Sequence, residues 1–272
     1  MPARILTAAD APLVRELVAA DPVCNVFVGS RVDAGVLNPT SAGLLWGWPA
    51  EQPRALLHIG ANMVPVAGDL SALPAFVEAA GRRRTCQSIV GPSWLAWPLW
   101  QALAARWGTS YQAVREVRRH QPVMALSRQP MGPVDHRVRA ISGAEFTSYL
   151  RASVAMYTEE VGSDPLAQGA GAGYRNYCRW LVDSGIVEDG RVVFKSDIGA
   201  ASGKVAQIQG VWLDPDLRGR GLSAPAVAAV SEYVLAEFQT ACLYVNDFNT
   251  RAIRCYERVG YEQVGEFATI LF

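Results

Sequence analysis

Two periods of apolar residues run along this chain, and the elements begin and end where one gives way to the other. Phe146, Leu150, Val154, Tyr157 and Val161 recur at three- and four-residue spacing, which predicts a helix with one apolar face. Ser142-Gly-Ala-Glu145 stands ahead of it as a capping box, in which the Ser and Glu side chains satisfy each other's orphan N–H groups. Gln207 to Leu213 fits no helical period; its apolar, small and β-branched residues predict a strand, broken by Asp214-Pro215. Pro225 suits the first turn of a following helix, where its missing N–H costs nothing.

Extended over the second half, the same reading gives a strand at Arg137 to Ile141, the capped helix, and a Gly- and Ala-rich loop from Gly162 to Gly173. A helix from Tyr174 to Ser184 follows, then strands near Ile186, at Val192 to Ala200 and at Val205 to Leu213. Helix Pro225 to Phe238, strand Ala241 to Asn246, helix Thr250 to Val259 and final strands to Phe272 complete it. The first half repeats the order in fainter form. A strand at Ala3 to Thr7 and helical segments at Ala11 to Ala20 and Asn25 to Asp33 lead to strands at Leu44 to Trp48, Ala55 to Ile59 and Met63 to Val66. Helix Leu73 to Ala80, strand Cys86 to Val90, helix Trp94 to Trp107 and strand Ala113 to Leu126 follow. Two prolines and a glycine interrupt any period between Leu126 and Asp135, so the expected domains are 1–128 and 136–272, joined by 129–135. Trp94, Trp97, Trp100 and Trp107 share roughly one side of their helix, a spacing that favours packing in the core or at the seam over a ligand wall.

Composition narrows the class. Lys plus Arg balance Asp plus Glu at 25 each, which argues for neither a nucleic-acid partner nor a membrane surface. Arg82-Arg83-Arg84 and the cluster from Arg115 to His120 read as a solvated helix end and an edge strand. Five scattered cysteines without a Cys-x-x-Cys pair predict neither a disulfide framework nor a zinc site, and point to a reducing compartment. The N-terminus lacks the layout of a signal peptide and no apolar run approaches a membrane span, so a cytoplasmic location is expected.

The chemistry concentrates after the Asp-Pro break. Arg218-Gly219-Arg220-Gly221-Leu222-Ser223 is a turn of bare backbone between a strand and a helix. Glycines let N–H groups approach an anion, the helix N-terminus adds a favourable dipole, and two arginines supply charge. The spacing is not a Walker P-loop. Gly219-Arg-Gly221-Leu-Ser-Ala224 matches a dinucleotide fingerprint, with Asp247 near the ribose-binding position, but only 48 residues follow Ala224. That is too short for the strands such a domain still needs.

Arg218-x-x-Gly221-x-Ser223 resembles the Gln/Arg-x-x-Gly-x-Gly/Ala signature of the GNAT superfamily of acyl-CoA-dependent N-acyltransferases, with Ser in the last small position. The downstream Asn249-Thr-Arg-Ala252, Tyr256 and Gly260-Tyr261 resemble the superfamily's Asn-x-x-Ala-x-x-x-Tyr-x-x-x-Gly-Phe/Tyr pattern. The first half carries no such signature and is similar to an uncharacterised domain that precedes the acetyltransferase domain in some bacterial GNAT proteins. The resemblance implies an α/β (α+β) fold of two tandem GNAT-like domains, each a mixed, mostly antiparallel sheet flanked by helices. It implies that an acetyl group passes from acetyl-CoA, a co-substrate, to an amine on a small molecule or protein, by direct attack in a ternary complex without metal. A homo-oligomer is left open. The alternative is a non-catalytic module that binds acyl-CoA and regulates.

By the same resemblance, Arg218, Gly219, Arg220, Gly221, Leu222 and Ser223 hold the pyrophosphate, while Val211 and Leu213 bond the pantetheine arm through their backbones. Asn249 contacts that arm or caps its helix, two compatible roles. Tyr256 is the expected general acid. Its phenol, of reference pKa about 10, is read as donating downhill to a thiolate whose conjugate acid lies near 8.5. For the base, Gln207 and Gln209 on the strand cannot take up a proton, so Glu159 and Glu160 at the end of the capped helix are the candidates, beside a water relay through either Gln. Trp212 reads as core.

Overall fold

The computed structural model describes residues 1–167, 171–181 and 184–272. The first half runs β1 (Arg4–Ile5), α1 (Ala11–Ala19), α2 (Val26–Asp33), β2 (Leu44–Trp48), β3 (Ala55–Ile59), β4 (Asn62–Val66), α3 (Leu73–Ala80), β5 (Ser88–Pro92), α4 (Ser93–Trp107), a short α5 (Thr109–Gln112) and β6 (Glu116–Leu126). The second half runs β7 (Arg139–Ala140), α6 (Phe146–Val161), α7 (Gly171–Trp180), β8 (Ser184–Glu188), β9 (Arg191–Ser202), β10 (Val205–Leu213), α8 (Ser223–Glu237), β11 (Thr240–Tyr244), α9 (Thr250–Val259) and β12 (Glu262–Leu271). The repeated order read from periodicity is therefore present in both halves. The predicted loop 162–173 includes residues 168–170, and the helix predicted over Tyr174 to Ser184 includes 182–183, which lie outside the described residues. Where described, that helix starts earlier, at Gly171, and ends at Trp180, because Ser184 already pairs with β9.

Among the described residues the strands form one sheet, ordered β1-β2-β3-β4-β5-β12-β6-β11-β10-β9-β8-β7. All neighbours are antiparallel except β4 with β5 and β10 with β11. The order shows an exchange. β12, from the second half, lies between β5 and β6, with Phe267 opposite Pro92 and Leu271 opposite Glu116. β6, from the first half, lies between β12 and β11, with Tyr244 opposite Val123. The final strands expected before Phe272 are thus one long strand, and both its partners come from the other half of the chain. A buried relay ties the exchange together: Thr269 Oγ1 donates to Gln121 Oε1 (2.6 Å), and Gln121 Nε2 donates to Asn246 Oδ1 (2.8 Å).

Helices cover both faces. α8 and α9 pack on one face of the second half around Val227, Val230, Val234, Val259 and Tyr261. α6 and α7 cover the other face with Tyr149, Leu150 and Cys178. The stripe of α6 is rotated from the predicted one: Tyr149, Leu150, Ala152 and Ser153 are buried, while Phe146 and Tyr157 lie at its margin. Ser142 and Glu145 form the capping box as read, with Glu145 Oε2 accepting from the Ser142 N–H at 2.8 Å.

In α4 the buried stripe is Leu95, Ala96, Leu99 and Leu103. Trp100 and Trp107 flank it, each donating its indole N–H to a backbone carbonyl at 2.9 Å, and Trp94 is exposed. Among the described residues no helix is long and apolar enough to cross a membrane.

Candidate functional site

β10 leaves β11 early. The two pair only from Val205–Thr240 to Gln207–Cys242, and beyond that point they diverge into a wedge. A bulge between Gln209 and Trp212 accompanies the divergence, centred on Gly210 with φ of 60°. Behind it, Lys195 and Asp197 from β9 and Tyr149 from α6 form a buried polar group. The Lys195 ammonium bonds Asp197 Oδ2 at 2.6 Å and the Gly210 carbonyl at 3.1 Å, and the Tyr149 hydroxyl donates to the other Asp197 oxygen. Burial pushes the Asp197 carboxyl above its ordinary range against the pull of Lys195. Only glycine fits at 210, since a Cβ there would meet Asp197 Oδ2 and would lie 2.8 Å from Lys195 Nζ. Val211 and Leu213 thus lie on the diverging stretch at the end of the strand.

The glycine-rich turn 218–223, an anion cradle by its pattern, closes the wedge beyond the end of β10. Gly219 and Gly221 take φ of 78° and 76°, and α8 starts at Ser223, two residues before the predicted Pro225. Among the described residues the N–H groups of Gly219, Arg220, Gly221, Leu222, Ser223 and Ala224 meet no acceptor. Open space surrounds both glycines. Six consecutive N–H groups on a glycine-rich bend therefore form a nest of donors at a helix N-terminus, the arrangement that receives an anion.

The same place in the first half is built otherwise. Asp69 caps the turn before α3 and accepts from the Ser71 N–H (2.7 Å) and hydroxyl. An internal carboxylate thus stands where an anion would have to sit.

The candidate carboxylates are both held by arginines. Arg218 Nη2 donates to Glu159 Oε2 at 2.8 Å, Arg218 Nε to the Leu213 carbonyl at 2.9 Å, and Trp212 Nε1 to Glu159 Oε1 at 3.5 Å. Glu159 therefore faces the cradle. Glu160 turns to the wedge side, where Arg118 of β6 donates to its Oε1 (3.0 Å) and its backbone carbonyl (3.1 Å). Arg118 was expected on a solvated edge strand. That reading is corrected: β6 is interior to the sheet, and the Arg118 side chain is 9% exposed. Only the exchange of β6 and β12 brings it here.

Aromatic rings line this side. Tyr157, Tyr174 and Tyr177 follow one another at centroid distances of 5.4 and 6.2 Å, and Tyr244 lies 5.3 Å from Phe267. Tyr177 accepts at 2.9 Å from Gln209 Nε2. The Tyr244 residue is 38% exposed, yet its hydroxyl end is desolvated and pushed up to about 12, first by burial and then by Glu160 and Tyr177, with Arg118 opposing. These residues share one environment.

Tyr256 is 8% exposed against Tyr261, and its hydroxyl has no hydrogen-bond partner among the described residues. Burial pushes it above the ordinary phenol value. The sign of the expected proton transfer needs correction as well. A phenol at about 10 is already a weaker acid than a thiol at about 8.5, so donation to a free thiolate runs uphill, and burial steepens it. Tyr256 can serve the departing sulfur by donating a hydrogen bond while negative charge builds on it. Asn249 caps α9, its side chain accepting from the Ala252 N–H at 3.2 Å. Gln207 is 8% exposed and Trp212 7%, the latter in the cluster under α6.

Sequence reasoning missed Tyr149, Lys195, Asp197, Gly210, Arg118, Tyr177 and Tyr244. A signal existed for one pair: Lys195 and Asp197 are two apart in a mostly apolar strand, hence on one face of it. The five cysteines are free, and those at 24 and 242 are pushed up to about 12 by burial, which makes them inert.

With a parallel pair that splays, a bulge beside the splay and an anion nest at its mouth, the comparisons become specific. Residues 199–269 match the FR47-like protein family, and residues 43–149 match a domain of unknown function (DUF4081). A tandem GNAT protein from the clavulanic acid biosynthesis pathway superposes with a TM-score of 0.57 at 17% identity, over 98% of this chain and 97% of that one. The fold is a tandem GNAT fold. A GCN5-related N-acetyltransferase from Sphaerobacter thermophilus gives 0.57 at 15% identity, over 98% and 94% of the two chains. A Drosophila protein gives 0.65 at 12%, over 99% and 98%. The sequence matches no curated protein. At these identities the likeness establishes the GNAT fold alone, and the strand exchange adds how its two copies interlock.

Proposed function

We propose that the second half, 136–272, is an acyl-CoA-dependent N-acyltransferase that moves an acetyl group to an amine. The single observation that carries this reading is the nest of free N–H groups from Gly219 to Ala224 at the mouth of the β10–β11 wedge. Arg218, Gly219, Arg220, Gly221, Leu222 and Ser223 would hold the donor's pyrophosphate, and the backbones of Val211 and Leu213 its arm. The donor supplies an activated thioester carbonyl. The acceptor amine enters from the aromatic side, between Tyr177 and Tyr244, where Glu160 presents a carboxylate fixed by Arg118.

Under this reading the two adjacent glutamates divide the work. Glu159 is a latch on the cradle: it neutralises Arg218 until a phosphate competes for the same guanidinium. Glu160 orients the amine and receives its proton, directly or through water near Gln209. Tyr256, whose hydroxyl has no hydrogen-bond partner among the described residues, donates as the carbon–sulfur bond breaks. A positioned acid contributes about 10²–10⁴-fold, so Tyr256→Phe should lose turnover on that scale while still binding the donor.

A second reading, a module that binds acyl-CoA without turnover, is favoured by one observation. Both candidate bases are ion-paired, and the strand carries Gln209 where a carboxylate would be simplest.

Thermal shift with acetyl-CoA separates the possibilities. A ligand at a hundred times its dissociation constant stabilises by about 2.7 kcal/mol. A rise in the wild type that vanishes in Arg218→Glu supports the cradle. Thiol release on adding amines then supports the enzyme, and its absence across an amine panel supports the module. No rise in either protein refutes both.

A further inference from the structure

At the far end of β10 from the cradle, a cleft of about 380 Å³ opens between the first half's α1–α2 hairpin and the second half's β9–β10 turn. Val18, Val26, Val32 and Val205 form its apolar floor, none more than 9% exposed. Two cations, Arg15 and Lys204, belong to the lining, and no carboxylate does. Arg15 is paired with Asp33 at 2.8 Å, while Lys204 has no ion pair among the described residues. The Lys204 carbonyl accepts from the N–H groups of Gln239 (2.9 Å) and Thr240 (3.1 Å), so the root of its side chain is fixed.

The walls are fixed too. Asp33 accepts from Ser202 Oγ at 2.6 Å, and a Cβ on Gly29 would come within 2.6 Å of that same hydroxyl oxygen, so α2 sits directly on β9. The cleft is therefore preformed, and its size is that of a small-molecule site. At roughly 30 Å³ per heavy atom, the volume holds about twelve.

We propose that this cleft binds a small amphiphile with an unbranched apolar tail of about ten carbons and a carboxylate head. The tail lies along the valine floor, and the head meets Lys204 with Arg15 beside it. An alcohol would bring no charge to Lys204, and an ammonium head would meet it as a like charge. The apolar floor spans both halves of the chain, so the ligand acts as a clasp across the contact of α2 with β9. The site stands apart from the cradle and does not depend on what the cradle binds.

The test uses decanoate as the probe, by thermal shift and calorimetric titration on the full chain. The wild type and Arg218→Glu should both show a raised midpoint, because the cradle is not involved. Ala19→Trp, at an exposed position on the cleft wall, should fill the space and abolish the shift while leaving the unliganded midpoint within a degree or two. Lys204→Glu should weaken decanoate about tenfold or more, and decylamine should bind the wild type at least tenfold less well than decanoate. Absence of any decanoate shift overturns the site. A shift that survives Ala19→Trp places the ligand elsewhere and also overturns it. Equal binding of decylamine refutes the carboxylate head.

Discussion

Lys195→Met isolates the polar group under the bulge. The ion pair with Asp197 measures 2.6 Å, and the two side chains are 1% and 2% exposed. Removing the cation leaves a buried carboxylate with only the Tyr149 hydroxyl as partner, and breaking a buried pair in this way costs about 3–5 kcal/mol. Unfolding entropy of about 2.1 cal/mol/K per residue, taken over the 272 residues, gives roughly 0.6 kcal/mol/K near the midpoint. The expected fall in Tm is therefore about 5–9 °C. Lys195→Met combined with Asp197→Leu removes both charges, so most of the loss should return, less about 1–2 kcal/mol for the Tyr149 hydroxyl and Gly210 carbonyl left without partners. Differential scanning calorimetry at pH 7 reads all four corners of the cycle. The single variant should also lose catalytic rate, since Lys195 holds the Gly210 carbonyl and with it the edge that ends in Val211 and Leu213. A fall below 2 °C for Lys195→Met, or a double variant as unstable as the two singles added together, would refute the account.

Glu159→Gln should tighten acetyl-CoA up to about fivefold, the upper worth of an exposed ion pair, as read by calorimetric titration; weaker binding would show that Glu159 is no latch. Gly210→Ala should lower stability by at least about 1–2 kcal/mol, since alanine is strained at positive φ and its methyl meets Lys195 and Asp197; an unchanged melting curve would contradict the bulge. His58 is pushed down to about 4, chiefly by burial, with Arg31 adding and the Asn62 carbonyl opposing. The unfolded chain, near 6.5, then binds the extra proton first, so this stability is complete above pH 6.5 and fades as pH falls toward 4, by about 3 kcal/mol in all. Denaturant titrations of wild type and His58→Gln across that window should differ in slope, and parallel curves would discount the histidine.

Much of this protein is written locally in its sequence. The capping box at Ser142 and Glu145, the strand from Val205 to Leu213, the Asp-Pro break, the glycines at 219 and 221 and the Asn249 cap each depend on residues a few positions apart. The caps close their hydrogen bonds within one turn, and the strand and its break are marked by residue pattern alone, so composition and spacing were enough to place them. The order of elements followed from the same short-range signals.

What the sequence left undecided is every pairing between distant strands. Nothing near Glu116–Leu126 says that it will lie between β12 and β11, because an eleven-residue strand with polar and apolar sides can pair with any partner of matching register. The exchange of β6 with β12 is settled by which unpaired edges the folded halves offer, and that depends on the whole sheet. From it follow the interior place of Arg118, its hold on Glu160 and the Thr269–Gln121–Asn246 relay. The pairing of Glu159 with Arg218 and of Lys195 and Asp197 with Tyr149 likewise joins residues from separate elements, where only the packed helix α6 brings the charges within reach. The sequence determined the cradle; the tertiary structure decided what faces it, because charge complementarity acts over a few ångströms in space and carries no trace in chain order.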